Sequence, residues 1–331
     1  MVEPGGRIDW QAWVLRQWPL VLPVLLLASL CAGHFLGVVR DDYVAYSAVM
    51  FVWARTVEWS GLLSFPYRDV GFGALLFLFA KVLPASDALW FFLIAVLGLG
   101  VKFHCFRRFS PAYWVAVLVH VSMFFVLQDY TQLRASLGIA FLMLGSGLLV
   151  FRQHYGRLAG SWVLAAGFHV QTLVAMAFAL ACVFSMAAFV GGVSVALLGD
   201  HIFSRAAEYF PRLAYYLTYA ADKTPNPFSS MKLYQYLSLV LFLYYRPAIR
   251  GRDWKMVELS GWFLLAGLAI FIGLLRFPAA AHRFSEMLFA FMPFLVSGLF
   301  VLMPRRFGIP YVAAGVAVGV WASYRVLYVW Q

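Results

Sequence analysis

Long apolar runs, separated by short segments rich in lysine and arginine, most constrain what this chain can fold into. Of its 331 residues, 64% are hydrophobic and 12% are charged, about half the charged share of a soluble domain. Only helices and closed barrels satisfy every backbone N–H and C=O group inside lipid, and barrel strands alternate in polarity. These runs do not alternate, so the sequence predicts an all-α polytopic membrane protein.

The apolar runs predict about ten transmembrane helices, at roughly 20 residues for each crossing. We expect them to form a single integral membrane domain over residues 1–331. The predicted spans are residues 18–38, 70–83, 88–101, 111–127, 137–151, 160–184, 231–245, 259–275, 284–303 and 310–328. Two full crossings within residues 70–101 would leave Lys102, Arg107 and Arg108 outside. Either one of those two short runs is re-entrant, or the loop before them dips into the membrane.

Positive charge orients the predicted helices. The net charge is +11, and most lysines and arginines lie between the apolar runs, as in the cytoplasmic loops of membrane proteins. This bias predicts a cytoplasmic N-terminus and places two long segments, 40–69 and 200–230, on the outer face, each with an interfacial helix. Anionic lipid or an anionic lipid-linked substrate would suit the remaining charge. Nucleic acid is not expected as a partner.

Metal and cofactor chemistry has little support in the sequence. The three cysteines, Cys31, Cys105 and Cys182, are far apart, so they predict neither a disulfide framework nor a thiolate metal site. No His/Asp/Glu set has the spacing of metal ligands. Short motifs of nucleotide-binding proteins, serine hydrolases and zinc proteases do not occur. We therefore expect no metal ion and no cofactor.

The first candidate site is the polar segment 128–134, Gln-Asp-Tyr-Thr-Gln-Leu-Arg, between two apolar runs. We expect it at one membrane surface, where Asp129, Gln132 and Arg134 would lie close together. An arginine there is costly unless it has a partner or a ligand. The alternative is a side chain that only anchors the helix at the interface. We predict that Arg134 binds substrate, with Asp129 and Gln132 beside it.

Two more arginines are expected on the same outer side. Arg276 and Arg283 bracket a short turn, and the planar guanidinium group fits phosphate oxygens. Arg283 is predicted to open a helix, whose free N–H groups also attract anions. Interfacial anchoring is an equal alternative for Arg276. Arginines that converge on one outer pocket would suit a diphosphate.

His169 and two aspartates are the candidate catalytic residues. His169 lies within an apolar run, where it is either a general base, a phosphate contact or a histidine that packs between helices. Asp41 and Asp42 follow the first span, either as a solvated helix end or as carboxylates that deprotonate a hydroxyl or hold a sugar. Lesser alternatives are Glu58, Asp69 and Glu286.

Several short motifs occur in order along the chain. They are Arg40 with Asp42-Tyr43 and Tyr46, then Arg68-Asp69-Val70-Gly71-Phe72, Leu133-Arg134-Ala135-Ser136, Phe168-His169 and Arg283-Phe284-Ser285. Similar motifs occur in the same order in the EpsG-type membrane proteins, which belong with the Wzy-type polysaccharide polymerases, and the chain resembles that family over residues 38–303. Asp69-Val70 stands where the family usually reads Glu-Pro, and Ala135 where it usually reads Gln.

The resemblance implies a GT-C-like helical bundle and a role in making bacterial surface polysaccharide. It implies a polymerase that joins oligosaccharide units carried on undecaprenyl diphosphate, at the periplasmic face of the inner membrane, without a nucleotide sugar. On this interpretation Arg40, Asp69, Arg134 and Arg283 belong to the substrate site. A chain-length regulator and a flippase of the same pathway are the expected protein partners.

Three other functions stay open from the sequence. They are a flippase or other transporter of lipid-linked oligosaccharide, a membrane O-acyltransferase, and a structural subunit of an export complex. A transporter is expected to distribute polar groups through the membrane depth and to contain an internal repeat. The predicted charges cluster at one face and no repeat is visible, which favours an enzyme.

Overall fold

The computed structural model describes residues 10–34, 45–58, 61, 69–83, 86–152, 154–182 and 225–325, with a few single residues between 190 and 205. The predicted site residues Arg40, Asp41 and Asp42 lie outside the described residues, as does most of the segment 200–230. Every element among the described residues is a helix. The prediction of an all-α polytopic membrane protein is therefore confirmed.

The helices before residue 183 are α1 (Trp10–His34), α2 (Val52–Thr56), α3 (Val70–Val82), α4 (Asp87–Phe109), α5 (Tyr113–His120), α6 (Leu133–Val150), α7 (Tyr155–Phe168) and α8 (Thr172–Cys182). A π-helix, Ala45–Phe51, precedes α2, and a second, Val121–Tyr130, continues α5. The helices after residue 225 are α9 (Ser230–Gly251), α10 (Lys255–Gly273), α11 (Pro278–Phe289), α12 (Met292–Leu302) and α13 (Arg305–Tyr324).

Local sequence explains where several of these helices begin. Ser229 caps α9, because its hydroxyl oxygen accepts a hydrogen bond from the Lys232 N–H (3.4 Å), a common role for serine at this position. Pro278 opens α11, where the missing N–H of proline would have had no partner in any case. As a result, Arg283 lies within α11. The sequence had predicted that Arg283 would lie at the start of a helix.

The described part of the chain contains five helices long and apolar enough to cross a membrane. They are α4, α5 with its π-helical continuation, α6, α10 and α13. The pair α11 and α12, bent by 49°, makes a sixth if it is one broken span. The predicted count of about ten spans is not confirmed. Helix α3 has only 13 residues, too few for a crossing of its own.

Most helices run between two ends of the bundle, and one end is strongly basic. There Arg250 donates to Glu258 (2.6 Å) and joins the end of α9 to the start of α10, and Arg107 donates to Gln17 (2.9 Å). We call this the basic end and the opposite one the site end. The basic end contains Arg107, Arg108, Arg152, Arg157, Arg246, Arg250, Arg252, Lys255, Arg305 and Arg306.

Helices α7 and α8 form a hairpin that enters and leaves at the basic end. Along α6, Gly138 contacts His169 and Thr172, and Gly145 packs against the ring of Trp162 on α7. Cys182, the last residue of α8, lines a cavity beside Arg152 at the far end of α6. The chain therefore turns back at residues 169–171. The sequence had predicted a single crossing over residues 160–184, because both arms of the hairpin are apolar.

Candidate functional site

Arg134 lies in the first turn of α6, held by contacts from two other parts of the chain. Its Nη1 donates to the carboxylate of Asp69 (Nη1–Oδ2 2.6 Å), and its backbone N–H donates to the hydroxyl of Tyr46 (3.3 Å). Tyr46 is fixed in turn by edge-on contacts with the rings of Phe72 and Phe91. Tyr46 and Asp69 therefore set the position of Arg134.

Asp69 links three elements of the site. It immediately precedes α3 and is 5% exposed. One carboxylate oxygen accepts the hydrogen bond from Arg134, and the other accepts one from the backbone N–H of Val170 (3.0 Å) at the hairpin tip. The Nδ1 of His169 lies 3.9 Å from the same carboxylate. This one side chain therefore fixes the hairpin tip against the start of α6.

The electrostatic surroundings keep Asp69 ionised. Burial alone raises the pKa of this carboxyl, but the nearby His169 ring, the Arg134 guanidinium and the Val170 N–H outweigh it, so the pKa is below its ordinary value. A carboxyl with a lowered pKa adds stability above the ordinary pKa, and that stability is lost only as the pH falls through the lowered value. The link between the hairpin tip and α6 is therefore present throughout the neutral range.

Four of the predicted site residues line one small cavity at the site end. They are Arg134, His169, Gln132 and Arg283. The cavity has a volume of about 100 Å³, and its other polar lining groups are Tyr46, Gln128, Gln171 and Glu286. His169 Nε2 lies 3.2 Å from the amide oxygen of Gln171. We call this the arginine cavity; two guanidinium groups beside amides and an imidazole are suited to a multiply charged anion.

The other predicted site residues that the structure describes, Asp69, Asp129 and Arg276, do not line this cavity. Arg276 lies before α11 and is not one of the residues that line the arginine cavity. Asp69 contributes through Arg134 and the hairpin tip rather than as a lining residue. The sequence did not give Glu286 and Gln128 a main role, yet both face the arginine cavity. Gln128 lies in the same 128–134 segment that the sequence had singled out.

Asp129 is placed differently from the prediction. The sequence put it at a membrane surface with Arg134, but its side chain is completely buried in the π-helix Val121–Tyr130. It accepts hydrogen bonds from Lys102 Nζ (2.7 Å) and from the hydroxyl of Ser136, and its other oxygen lies 2.8 Å from His120 Nε2. Lys102 also donates to Ser136 (3.2 Å). Asp129 is therefore part of an internal ionic network.

This network was not predicted from the sequence, although one signal for it was present. Lys102 and His120 are both fully buried within helices of spanning length. Ionisable residues inside membrane helices are rare and usually pair with one another. Lys102 had been assigned to a cytoplasmic loop because its apolar run was predicted to stop at residue 101, whereas α4 continues to Phe109. Ser136 connects the network to the first turns of α6, two residues after Arg134.

Among the described residues, no group of three or more histidine, cysteine, aspartate and glutamate side chains could hold a metal ion. The polar atoms of the arginine cavity come from arginine, histidine, amide and tyrosine side chains and from Glu286. Such a set can contact a ligand through hydrogen bonds and charge.

A contact between two glycines places α3 against α7 and makes a matched pair of variants available. A Cβ added to Gly71 would lie 2.8 Å from the backbone carbon of Gly167, whereas one added to Gly167 would lie 3.5 Å from the Cα of Gly71. We expect Gly71→Ala to push α3 off the hairpin, at a cost of about 1–3 kcal/mol, and to reduce activity. Gly167→Ala should retain activity. Thermal unfolding and activity of both purified variants are the measurements, and equal behaviour would contradict this packing.

Comparison with known proteins identifies the family of the chain. The model of the EpsG family matches residues 18–325, nearly the whole chain and all of the elements that form the arginine cavity. No curated protein and no solved structure matches the chain. The chain belongs to the EpsG family, a membership that indicates a membrane protein of the polysaccharide-polymerase type.

Proposed function

We propose that the protein joins oligosaccharide repeat units carried on undecaprenyl diphosphate into a bacterial surface polysaccharide. The observation that carries this proposal is the arginine cavity, where Arg134 and Arg283 face one space beside His169. Guanidinium groups hold phosphate oxygens through charge-assisted, often paired hydrogen bonds. A lipid diphosphate is an anion of this kind, and the membrane supplies it next to the site. Family membership supports the same class of function.

The proposed reaction is a glycosyl transfer with the lipid diphosphate as leaving group. A hydroxyl oxygen of one repeat unit attacks the anomeric carbon of another, and the bond from that carbon to the diphosphate oxygen breaks. The diphosphate leaves with the electron pair, and Arg134 and Arg283 stabilise the developing charge. The hydroxyl proton passes to a base, for which His169 is our first candidate. Asp41 and Asp42 are further candidates outside the described residues.

We propose that the site end faces the periplasm of the bacterial inner membrane and the basic end faces the cytoplasm. The concentration of arginine and lysine at one end supports this orientation. In a chain without its three cysteines, Ser230→Cys at the site end should react with a membrane-impermeant maleimide added from the periplasmic side. Arg157→Cys, exposed at the basic end, should react only after lysis. The reverse pattern would invert the proposed orientation.

Purified protein supplied with lipid-linked repeat units tests the proposed function directly. We expect longer saccharides and free undecaprenyl diphosphate to appear together, without a nucleotide sugar and in the presence of a chelator. A flippase would move the repeat unit across a vesicle membrane without lengthening it, and an O-acyltransferase would need an acyl donor. Intact repeat units after incubation, with a folded protein, would contradict the polymerase proposal. The chain-length regulator and flippase of the pathway stay proposed partners.

A further inference from the structure

A second and larger cavity lies beside the arginine cavity. Its volume is about 670 Å³, compared with about 100 Å³ for the arginine cavity, and it lies within the roughly 300–1,000 Å³ usual for small-molecule sites. Gln128 and Glu286 line both cavities, so these two side chains stand at the boundary between them. We call the larger space the side cavity.

The floor of the side cavity is polar and buried. Gln128 is 3% exposed, Gln235 2% and Lys232 5%. The amide oxygens of Gln128 and Gln235 are both buried, and neither accepts a hydrogen bond from any described residue. Buried polar atoms nearly always have a partner. Two such acceptors in one cavity indicate a ligand that carries hydrogen-bond donors.

Lys232 provides donors on the same floor. Its ammonium group lies 3.8 Å from the ring centre of Phe271 and 4.0 Å from that of Phe289, so cation–π contacts fix its position. An ammonium group has three N–H donors. The floor therefore offers both donors and acceptors at fixed positions, which is what a ligand with several hydroxyl groups requires, since each hydroxyl both donates and accepts.

The side cavity opens past aromatic side chains. Phe228 is 72% exposed and Trp321 54% exposed, and both line the cavity. A backbone turn holds Phe228, because its N–H donates to the side-chain oxygen of Asn226 (2.8 Å). Flat aromatic faces pack well against the C–H face of a sugar ring. Exposed aromatic rings over a buried polar floor match a saccharide better than a lipid tail, which offers no hydrogen-bond donors.

We propose that the side cavity binds the acceptor saccharide, the repeat unit whose hydroxyl is glycosylated, with Gln235 and Gln128 accepting hydrogen bonds from its hydroxyl groups. This inference rests on the proposed function, because it assigns the second substrate of the same reaction. Gln128 and Glu286 form the boundary between the cavities, where the Gln128 amide donates to the backbone oxygen of Glu286 (3.5 Å). The reacting hydroxyl meets the donor sugar at this boundary, next to the diphosphate in the arginine cavity, and the Glu286 carboxylate accepts its hydrogen bond. The side cavity then determines which sugar is extended.

The test measures two affinities on the purified full chain. One probe is the lipid-free oligosaccharide obtained by partial hydrolysis of the host's own polysaccharide, and the other is undecaprenyl diphosphate. Gln235→Leu removes the buried acceptor and should weaken oligosaccharide binding roughly tenfold, the usual range for a lost hydrogen bond. It should leave the affinity for undecaprenyl diphosphate unchanged. Arg134→Lys should show the opposite pattern.

A second variant keeps the test valid if the buried substitution affects folding. Phe228→Ala alters a mostly exposed side chain and should weaken oligosaccharide binding roughly three- to tenfold through lost apolar contact. Its matched control is Phe307→Ala, another exposed phenylalanine, 57% exposed near the basic end. The control should bind both probes like the unaltered protein.

The outcomes separate this inference from the function on which it rests. Unchanged oligosaccharide affinity in both Gln235→Leu and Phe228→Ala would overturn the acceptor site, even if Arg134→Lys loses diphosphate affinity. An unaltered protein that binds diphosphate but no oligosaccharide would overturn it as well. Loss of oligosaccharide binding in both variants would support the acceptor site. Failure of the unaltered protein to bind undecaprenyl diphosphate is a separate outcome, and it would contradict the polymerase proposal itself.

Discussion

Polymer formation should fall roughly ten- to a hundredfold when Arg134 or Arg283 is replaced by lysine, because a charged hydrogen bond contributes about 1.5–3 kcal/mol. Both arginines line the arginine cavity. Lysine keeps the positive charge but is a point charge, so it cannot reproduce the planar fork that binds two phosphate oxygens at once. The measurement is polymer in cells that carry each variant, normalised to folded protein in the membrane.

Arg157→Lys is the matched control for these variants. Arg157 is exposed at the basic end, on the other side of the bundle from the cavity. Polymer formation should be unchanged in this variant. If Arg134→Lys and Arg283→Lys also gave near-normal polymer, the two arginines would be interfacial anchors and the diphosphate role would be excluded.

Replacing Lys102 by methionine should destabilise the protein by about 3–5 kcal/mol, because it leaves a buried carboxylate without its main partner. Lys102 and Asp129 are both fully buried and lie 2.7 Å apart. We expect much less folded protein in the membrane, and a lower thermal unfolding temperature for the fraction that can be purified. Lys81→Met, which alters an exposed lysine on α3, should have an effect within about 0.5 kcal/mol.

The double variant Lys102→Met/Asp129→Asn separates charge pairing from shape. It removes both charges, so it should recover much of the stability lost in Lys102→Met. With Asp129→Asn measured as well, the effect of the double variant minus the effects of the two single variants gives the coupling between the two residues. For this variant, activity is a more informative measurement than stability, because the network is connected to the site. Ser136 hydrogen-bonds to both Lys102 and Asp129 and lies two residues after Arg134. A double variant as unstable as Lys102→Met alone would contradict the ion pair.

The convergence of Arg134, His169 and Arg283 was predictable from the sequence. Each follows or interrupts a long apolar run, and the alternation of spans brought all three to one face of the membrane. The position of His169 was predicted from a single crossing over residues 160–184, whereas residues 155–182 form a hairpin. In both arrangements the polar residues in the middle of this segment lie near the start of α6.

The internal contacts of the site could not be predicted in the same way. Hydropathy gives the length of a run but not the rotation of each helix, so it could not show that Asp129 points inward to Lys102 while Gln128 faces the arginine cavity. The π-helix Val121–Tyr130 changes that rotation locally. The positions of the buried acceptor Gln235 and the boundary residue Glu286 depend on how α9, α11 and the π-helix are placed around one cavity. No local pattern in the sequence contains that information.

The hairpin of α7 and α8 also affects how the topology of the chain is counted. A segment that leaves the membrane on the side where it entered does not add a crossing. The chain is therefore on the same side after the segment as before it. Cys182 at the end of α8 and Ser230 at the start of α9 lie at opposite ends of the bundle. A reporter protein fused directly after Cys182 would therefore give the same sidedness as one fused before Tyr155.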